Sequence, residues 1–264
     1  MNAWGYRAME VLLMLLALGA AAGLALAGRA WVRDNFPVRA RSPAVAGQAT
    51  LGVHTLVGHE EKRSPALART RPLYTTPGGS SLIALVGGYA GNHTHPRDNR
   101  GNEWRALGEP VVFEGYEGRF DARAYLVHNA RGGPGHRVEV TKTFNSAGEL
   151  TMPVVEIRDG KLTDVAQVYA PKGTRLTSGT VRTTGPAVLV ACWWGDGRDR
   201  LNRAVPSDGF RVIEEFVELP INSGVQGSVA AREVDEAGEY MVTWATAPSQ
   251  GAILWLFAFE HEMR

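Results

Sequence analysis

From Ser80 onward the chain keeps to one habit: a short run of β-branched and aromatic residues, then Gly, Pro, Asn or Asp, then another such run. Runs this short, interrupted this often, fit pleated strands, whose successive side chains point to opposite faces. The pattern predicts strands near Leu82–Val86, Trp104–Leu107, Arg123–His128, Arg137–Thr143, Pro153–Arg158, Val165–Tyr169, Thr177–Thr183, Ala187–Trp194, Phe210–Leu219, Gln226–Val234, Tyr240–Ala245 and Ile253–Phe259. An earlier run, "TLGVHTLVG", predicts a first strand. "FRVIEEFVEL" is the one stretch whose pattern also fits a helix. "HEEKRSPALARTRPLYTTPGG" is polar and reads as a loop over a sheet edge. "RDGK" around Gly160 and "EAGE" around Gly238 read as hairpin turns.

Faces can be assigned in part. Tyr240, Val242 and Trp244 alternate with Glu239, Met241 and Thr243, which predicts one buried and one wet face. "AVLVACWW" and "AILWLFAF" are apolar on both faces, which places them in the middle of their sheets under further cover. The 31 glycines follow no period, and no clear internal repeat is seen. Residues 47–264 are therefore read as one all-β domain, an antiparallel β-sandwich with jelly-roll-like or Greek-key connections.

What precedes the domain has a different character. Residues 11–27, "VLLMLLALGAAAGLALA", carry no charge and predict an N-terminal hydrophobic helix within residues 1–34. A linker with prolines and arginines follows at 35–46. Three readings stand side by side. One is a signal peptide cleaved after a small-x-small site at Ala25 and Ala27. Another is a membrane anchor with Trp4, Tyr6 and Trp31 at the interfaces. The third rests on "GYRAMEVLLMLLALGAA", which resembles the start of type IV pilins and pseudopilins. That resemblance implies processing after Gly5, Tyr6 as first mature residue, Glu10 fifth in the mature chain, and assembly into a filament. Arg29, Arg33, Arg39 and Arg41 after the span argue for a cytoplasmic domain under the positive-inside rule. Composition and resemblance argue for export.

The second resemblance covers about two thirds of the chain, from Ser80 to the end. It rests on "DNRGNEW", on "TTGPAVLVACWWGDG" followed by "AVPSDGF", and on "GEYMVTWATAPSQGAILWLFAF". These are similar to β-sandwich modules of secreted bacterial proteins and of bacteriophage tail fibres. The resemblance implies a binding or adhesive role.

Several function classes are disfavoured. A net charge of +1 gives the molecule no electrostatic reason to seek nucleic acid. The one cysteine, Cys192, allows no internal disulfide and lies in an apolar run, where a thiol is inert. No nucleophile elbow, H-E-x-x-H or P-loop is present, and no cofactor is expected. Glu156, Asp159 and Asp164 are carboxylates a glycosidase would need, which keeps a carbohydrate-active enzyme as an alternative. His93 and His95 stand two apart, and with Asp98 they are the candidates for a metal site, although the loop lacks a known ligand spacing. Asn92-His93-Thr94 has the form of a glycosylation sequon. For a glycan the candidates are Trp104, Trp193, Trp194, Asp196, Arg198 and Asp199. Aromatic faces suit the C–H surface of a sugar, and the charged groups suit its hydroxyls. Trp193 and Trp194 must face opposite ways. The expected partners are the membrane, through residues 11–27, and a glycan, a surface protein or further copies of the chain.

Overall fold

The computed structural model describes residues 38–39, 47–196, 203–217 and 223–262. Strands dominate them, and no α-helix occurs among the described residues. The first part holds β1 (Val38–Arg39), β2 (Thr50–His59), β3 (Leu67–Arg69), β4 (Leu73–Thr75), β5 (Ser80–Tyr89) and β6 (Arg97–Asp98). It continues with β7 (Arg105–Phe113), β8 (Phe120–Ala130), β9 (Gly133–His136), β10 (Val138–Thr141) and β11 (Leu150–Arg158). The second part holds β12 (Gly160–Thr177), β13 (Val181–Thr183), β14 (Ala187–Asp196) and β15 (Arg203–Pro206). It ends with β16 (Arg211–Phe216), β17 (Val225–Val234), β18 (Gly238–Tyr240) and β19 (Thr243–His261).

The two parts share one plan. The first forms an antiparallel sheet in the order β2-β11-β5-β8-β7, and the second forms one in the order β12-β19-β14-β17-β16. Counted among the principal strands of each half, both orders read first, fifth, second, fourth, third. The small strands repeat too. β10 pairs with β3 and β6, as the start of β19 pairs with the end of β12 and with β15. β4 pairs with β9 as β13 pairs with β18. Even an irregularity recurs. Ile157 pairs with Leu51 and Val155 with His54, while Phe259 pairs with Leu162 and Phe257 with Val165. Both first strands thus carry one extra residue at the same step. A sequence without a clear repeat folds as two copies of one strand plan.

The two large sheets pack face to face. Leu51, Ile83, Leu85, Phe120 and Ile157 of the first half meet Val190, Cys192, Trp194, Trp255 and Phe257 of the second in one buried core. The opposite face of each sheet is covered by its own half's small strands. Val53, Leu82, Val86 and Met152 pack with Ala68, Trp104 and Val138, while Leu189, Trp193 and Leu254 pack with Leu176, Val181 and Trp244. Burial on both faces is why β14 and the Ile253–Phe259 part of β19 lack polar alternation, and both strands lie inside their sheet as expected. Each large apolar side chain so buried contributes about 1.5–3 kcal/mol.

The sheets meet as if related by a two-fold axis, with β2 against β16 and β7 against β12. His54 Nδ1 lies 2.8 Å from Glu214 Oε1 along one of these seams, and the rings of Phe113 and Tyr169 meet edge to face at 5.4 Å along the other. Gly87 pairs with Ala122 and Thr151, and Trp194 with the corresponding Gly227 and Ile253, so the two hold equivalent places. They also touch. A Cβ on Gly87 would stand 2.2 Å from Trp194 Nε1, so the indole needs glycine opposite it.

Two expectations are corrected. The turns at Gly160 and Gly238 join strands of different sheets, so neither is a hairpin; the first is the link between the halves, with Asp159 at φ 51. The polar stretch after His59 contains β3 and β4, which help cover a sheet face. "FRVIEEFVEL", whose pattern also fits a helix, contains the expected strand: β16 lies at the sheet edge and, among the described residues, pairs with β17. Residues 1–34, with Gly5, Tyr6, Glu10, Ala25 and Ala27, lie outside the described residues. So does the linker apart from Val38–Arg39, which pairs in parallel with Leu73–Tyr74. No helix of the described residues is long and apolar enough to cross a membrane.

Candidate functional site

The connection from β5 to β7, residues 90–104 with the short β6 inside it, is built around two inward-facing side chains. Asp98 Oδ1 accepts from the backbone N–H of Arg100 at 2.9 Å and of Asn102 at 3.1 Å, the local closure that Asp favours in turns. Its Oδ2 accepts from Asn102 Nδ2 at 3.0 Å and Trp104 Nε1 at 2.8 Å, and lies 3.4 Å from His136 Nε2. Gly101, at φ +69, lets the chain turn inside this knot. Burial pushes the Asp98 carboxyl up, but the contacts with His136, Asn102 and Trp104 outweigh it and hold it well below the usual carboxylate range. Asp98 therefore faces inward with both oxygens occupied. It does not join His93 and His95, which corrects its place in the expected metal set.

Asp98, His136 and Thr75 form a line, with His136 Nδ1 2.9 Å from Thr75 Oγ1. It has the outline of a proton relay. Both ionisable side chains are wholly buried, and Thr75 Oγ1 accepts from Gly133 N at 3.1 Å. No substrate atom can reach such a hydroxyl, so the line braces the loop.

Asn92 is the second inward side chain. Its Oδ1 accepts from Thr143, Phe144 and Asn145 N–H at 3.2, 3.0 and 2.9 Å, and its Nδ2 donates to Asn145 O at 2.9 Å. Only 2% of Asn92 is exposed, so a sugar cannot be attached there without opening the fold.

The tryptophans are not gathered into a platform. Trp104, Trp193 and Trp194 are 6%, 1% and 1% exposed and sit in three different cores. Trp193 and Trp194 do face opposite ways, but neither ring has a face open to a sugar. Both sides of β14 are covered, and the sequence had left one side free for a ligand. Asp196 ends β14, while Arg198 and Asp199 lie outside the described residues. Cys192 is buried in the shared core, and burial pushes its thiol up to about 12.

Of the three candidate glycosidase carboxylates, those of Glu156 and Asp164 are engaged in holding the backbone. Glu156 is 1% exposed and accepts from Val53 N at 3.0 Å, Thr76 N at 2.6 Å and Ser80 Oγ at 2.8 Å. Asp164 accepts from Arg182 N at 2.8 Å, and the Asp159 carbonyl accepts from Glu262 N at 3.0 Å.

His93 and His95 lie elsewhere, with their rings edge-on to Tyr125 at centroid distances of 6.2 and 5.2 Å. Tyr125 belongs to β8, whose start reads "FDARAY". Asp121, Arg123 and Tyr125 alternate there with alanines, so all three share the face turned toward the first half's own interior. Burial lowers the His93 imidazole below its ordinary value and raises the Asp121 carboxyl above its own. Sequence reasoning passed over Asp121, Arg123 and Tyr125. The readable signal was polar residues at every second position of a strand with apolar neighbours. Among the described residues no group of three His, Cys, Asp or Glu side chains could hold a metal ion. No protein-family model matches the chain, and neither does any curated protein.

Proposed function

We propose that the chain is a membrane-anchored or secreted binding module with an adhesive rather than catalytic role. Its domain is a pair of jelly rolls packed back to back, and residues 11–27 are the hydrophobic helix that anchors or exports it. The large domain works outside the cytoplasm, on a glycan or a surface protein. The observation that carries this reading is the use made of the polar side chains. Glu156, Asp98 and Asn92 spend their hydrogen bonds inside the fold, largely on the backbone, and each roll interior holds an apolar core. Recognition is then left to rims and surfaces, as in an adhesive module. The resemblance to secreted and tail-fibre modules agrees with it.

The test is a glycan array on the chain lacking residues 1–34, which is expected to be soluble, folded and retained by a small set of glycans. A truncated chain that unfolds or still pellets with membranes refutes the anchor. Failure to bind any glycan, with filaments formed by the full-length chain, replaces the binding module with a pilin-like subunit.

A further inference from the structure

We propose that the rim of the first half, where His93, His95, Asp121, Arg123 and Tyr125 converge, is a binding site for a neutral polyhydroxylated ligand such as the terminal sugar of a glycan. The proposal rests on the glycan form of the binding reading, and it moves the site away from the tryptophans.

The first argument is an unpaired acceptor. Asp121 is 6% exposed; its Oδ2 accepts from Gly91 N at 3.2 Å, but its Oδ1 is buried with no hydrogen-bond partner. Buried carboxylate oxygens are costly to leave unpaired, so this one calls for a donor from outside the chain. The neighbours are poised in the same way. His93 Nδ1 lies 3.1 Å from Thr94 O, which assigns the proton to Nδ1 and leaves the Nε2 lone pair available. Arg123 is steadied by two bonds to Gly108 O, from Nε at 3.1 Å and Nη2 at 2.8 Å, and keeps further N–H groups for a ligand.

The second argument is the mixture of charge. Asp121 and Arg123 act on each other and on His93 electrostatically. An anion would meet the carboxylate and a cation the guanidinium. A hydroxyl suits both, because it donates to Asp121 Oδ1 or His93 Nε2 and accepts from Arg123. The exposed His95 ring offers a surface for sugar C–H groups.

The third argument comes from the other half. Through the paired registers, Asp121, Arg123 and Tyr125 correspond to Gln226, Ser228 and Ala230 on β17. Trp193 and Trp244 occupy that half's interior. At these three positions the second half has no carboxylate, guanidinium or phenol, so the strand plan does not require them there.

The experiment is a glycan array on the full-length chain in detergent, run beside Tyr125→Phe, Asp121→Asn and His95→Ala, with Arg182→Ala in the second half as control. Tyr125→Phe removes one oxygen and His95 is exposed, so these two remain decisive if Asp121→Asn fails to fold. The expected result is that the glycans bound by the wild type lose roughly tenfold or more in affinity in the rim variants at unchanged melting temperature, while the control binds as the wild type does. Wild-type affinity in folded rim variants overturns this site and leaves the binding module standing. No glycan bound by the wild type overturns this site together with the glycan form of the binding reading. Stoichiometric zinc uptake lost in His95→Ala assigns the rim to a metal instead and also overturns the proposal.

Discussion

The meeting of Gly87 and Trp194 makes the internal two-fold relation testable by energy. Trp194 is 1% exposed and packs against Phe113 and Phe120 at ring distances of 5.6 and 6.2 Å. Removing its side chain with Trp194→Gly is expected to cost about 3–5 kcal/mol, the range for emptying an aromatic site that only partly collapses. The loss is moderated because the indole N–H is buried without a partner, so one unsatisfied donor leaves with it. Gly87→Ala puts a methyl 2.2 Å from Nε1 and 2.5 Å from Cδ1 of that indole, where ordinary contact begins at 3.4 Å. The sheets must shift or the indole must leave its rotamer, at about 1–3 kcal/mol. Gly87→Trp alone costs more, since two indoles then claim one space. The informative variant is Gly87→Trp with Trp194→Gly, which moves the indole to the equivalent place on the facing sheet. If the halves are related by the inferred two-fold, the swap refills the space, and the double variant is more stable than Gly87→Trp alone and than the sum of the two changes. Urea unfolding of all four proteins measures the coupling, which is expected to exceed about 1 kcal/mol. Additive losses refute the idea that these two places are interchangeable.

Three further outcomes are expected. Val190 and Leu254 are fully buried on opposite faces of the second large sheet, so a glutamate at either costs several kcal/mol, read as a fall in melting temperature or loss of soluble protein. Asp98→Ala strands the Trp104 indole N–H and two backbone donors and costs about 3–5 kcal/mol in urea unfolding. Because the folded carboxyl lies below its unfolded value, its stabilisation is present above about pH 4 and is lost as pH falls toward the folded value, so Asp98→Asn flattens stability against pH in that acid range. His59 is held down to about 4 by burial and by Lys142. The unfolded chain therefore binds the extra proton first, and the stability His59 permits is full above about pH 6.5 and lost between there and pH 4. Comparing urea midpoints of the wild type and His59→Gln across that window is expected to show a difference growing to on the order of 3 kcal/mol, and parallel curves refute it.

The two halves differ in what they hold rather than in how they are strung. Each keeps the same strand order and the same extra residue in its first strand. One half fills its interior with Trp193 of β14 and Trp244 of β19, while the other lines β8 with Tyr125, Arg123 and Asp121. The shared core takes an indole from one side and a glycine from the other. Such differences leave the backbone plan alone, so the halves share a topology without a clear repeat in the sequence.

Much of the fold was legible in the residues because strand formation is local. β-branched and aromatic runs between Gly, Pro, Asn and Asp located most strands, and the two runs without polar alternation marked β14 and β19 as interior. The turn-rich loop after Tyr89 was likewise readable from "GNHTHPRDNRGN", since Asn and Asp close turns on their own backbone. Which strands pair was not readable. Gly160 and Gly238 have turn chemistry, but only the tertiary structure assigns the strands on either side to different sheets. The same limit applied to the side chains. A lone strand cannot tell whether its second face will be solvent or another layer, so one of Trp193 and Trp194 looked free for a ligand until the small strands covered it. Asp98 looked like a partner for His93 and His95 until Trp104 and Asn102 claimed its oxygens. Asp121, unremarkable in the sequence, became notable only because folding buried one of its oxygens without a donor. Propensity and alternation act between neighbours in the chain, whereas pairing, burial and hydrogen-bond satisfaction are settled among residues tens of positions apart.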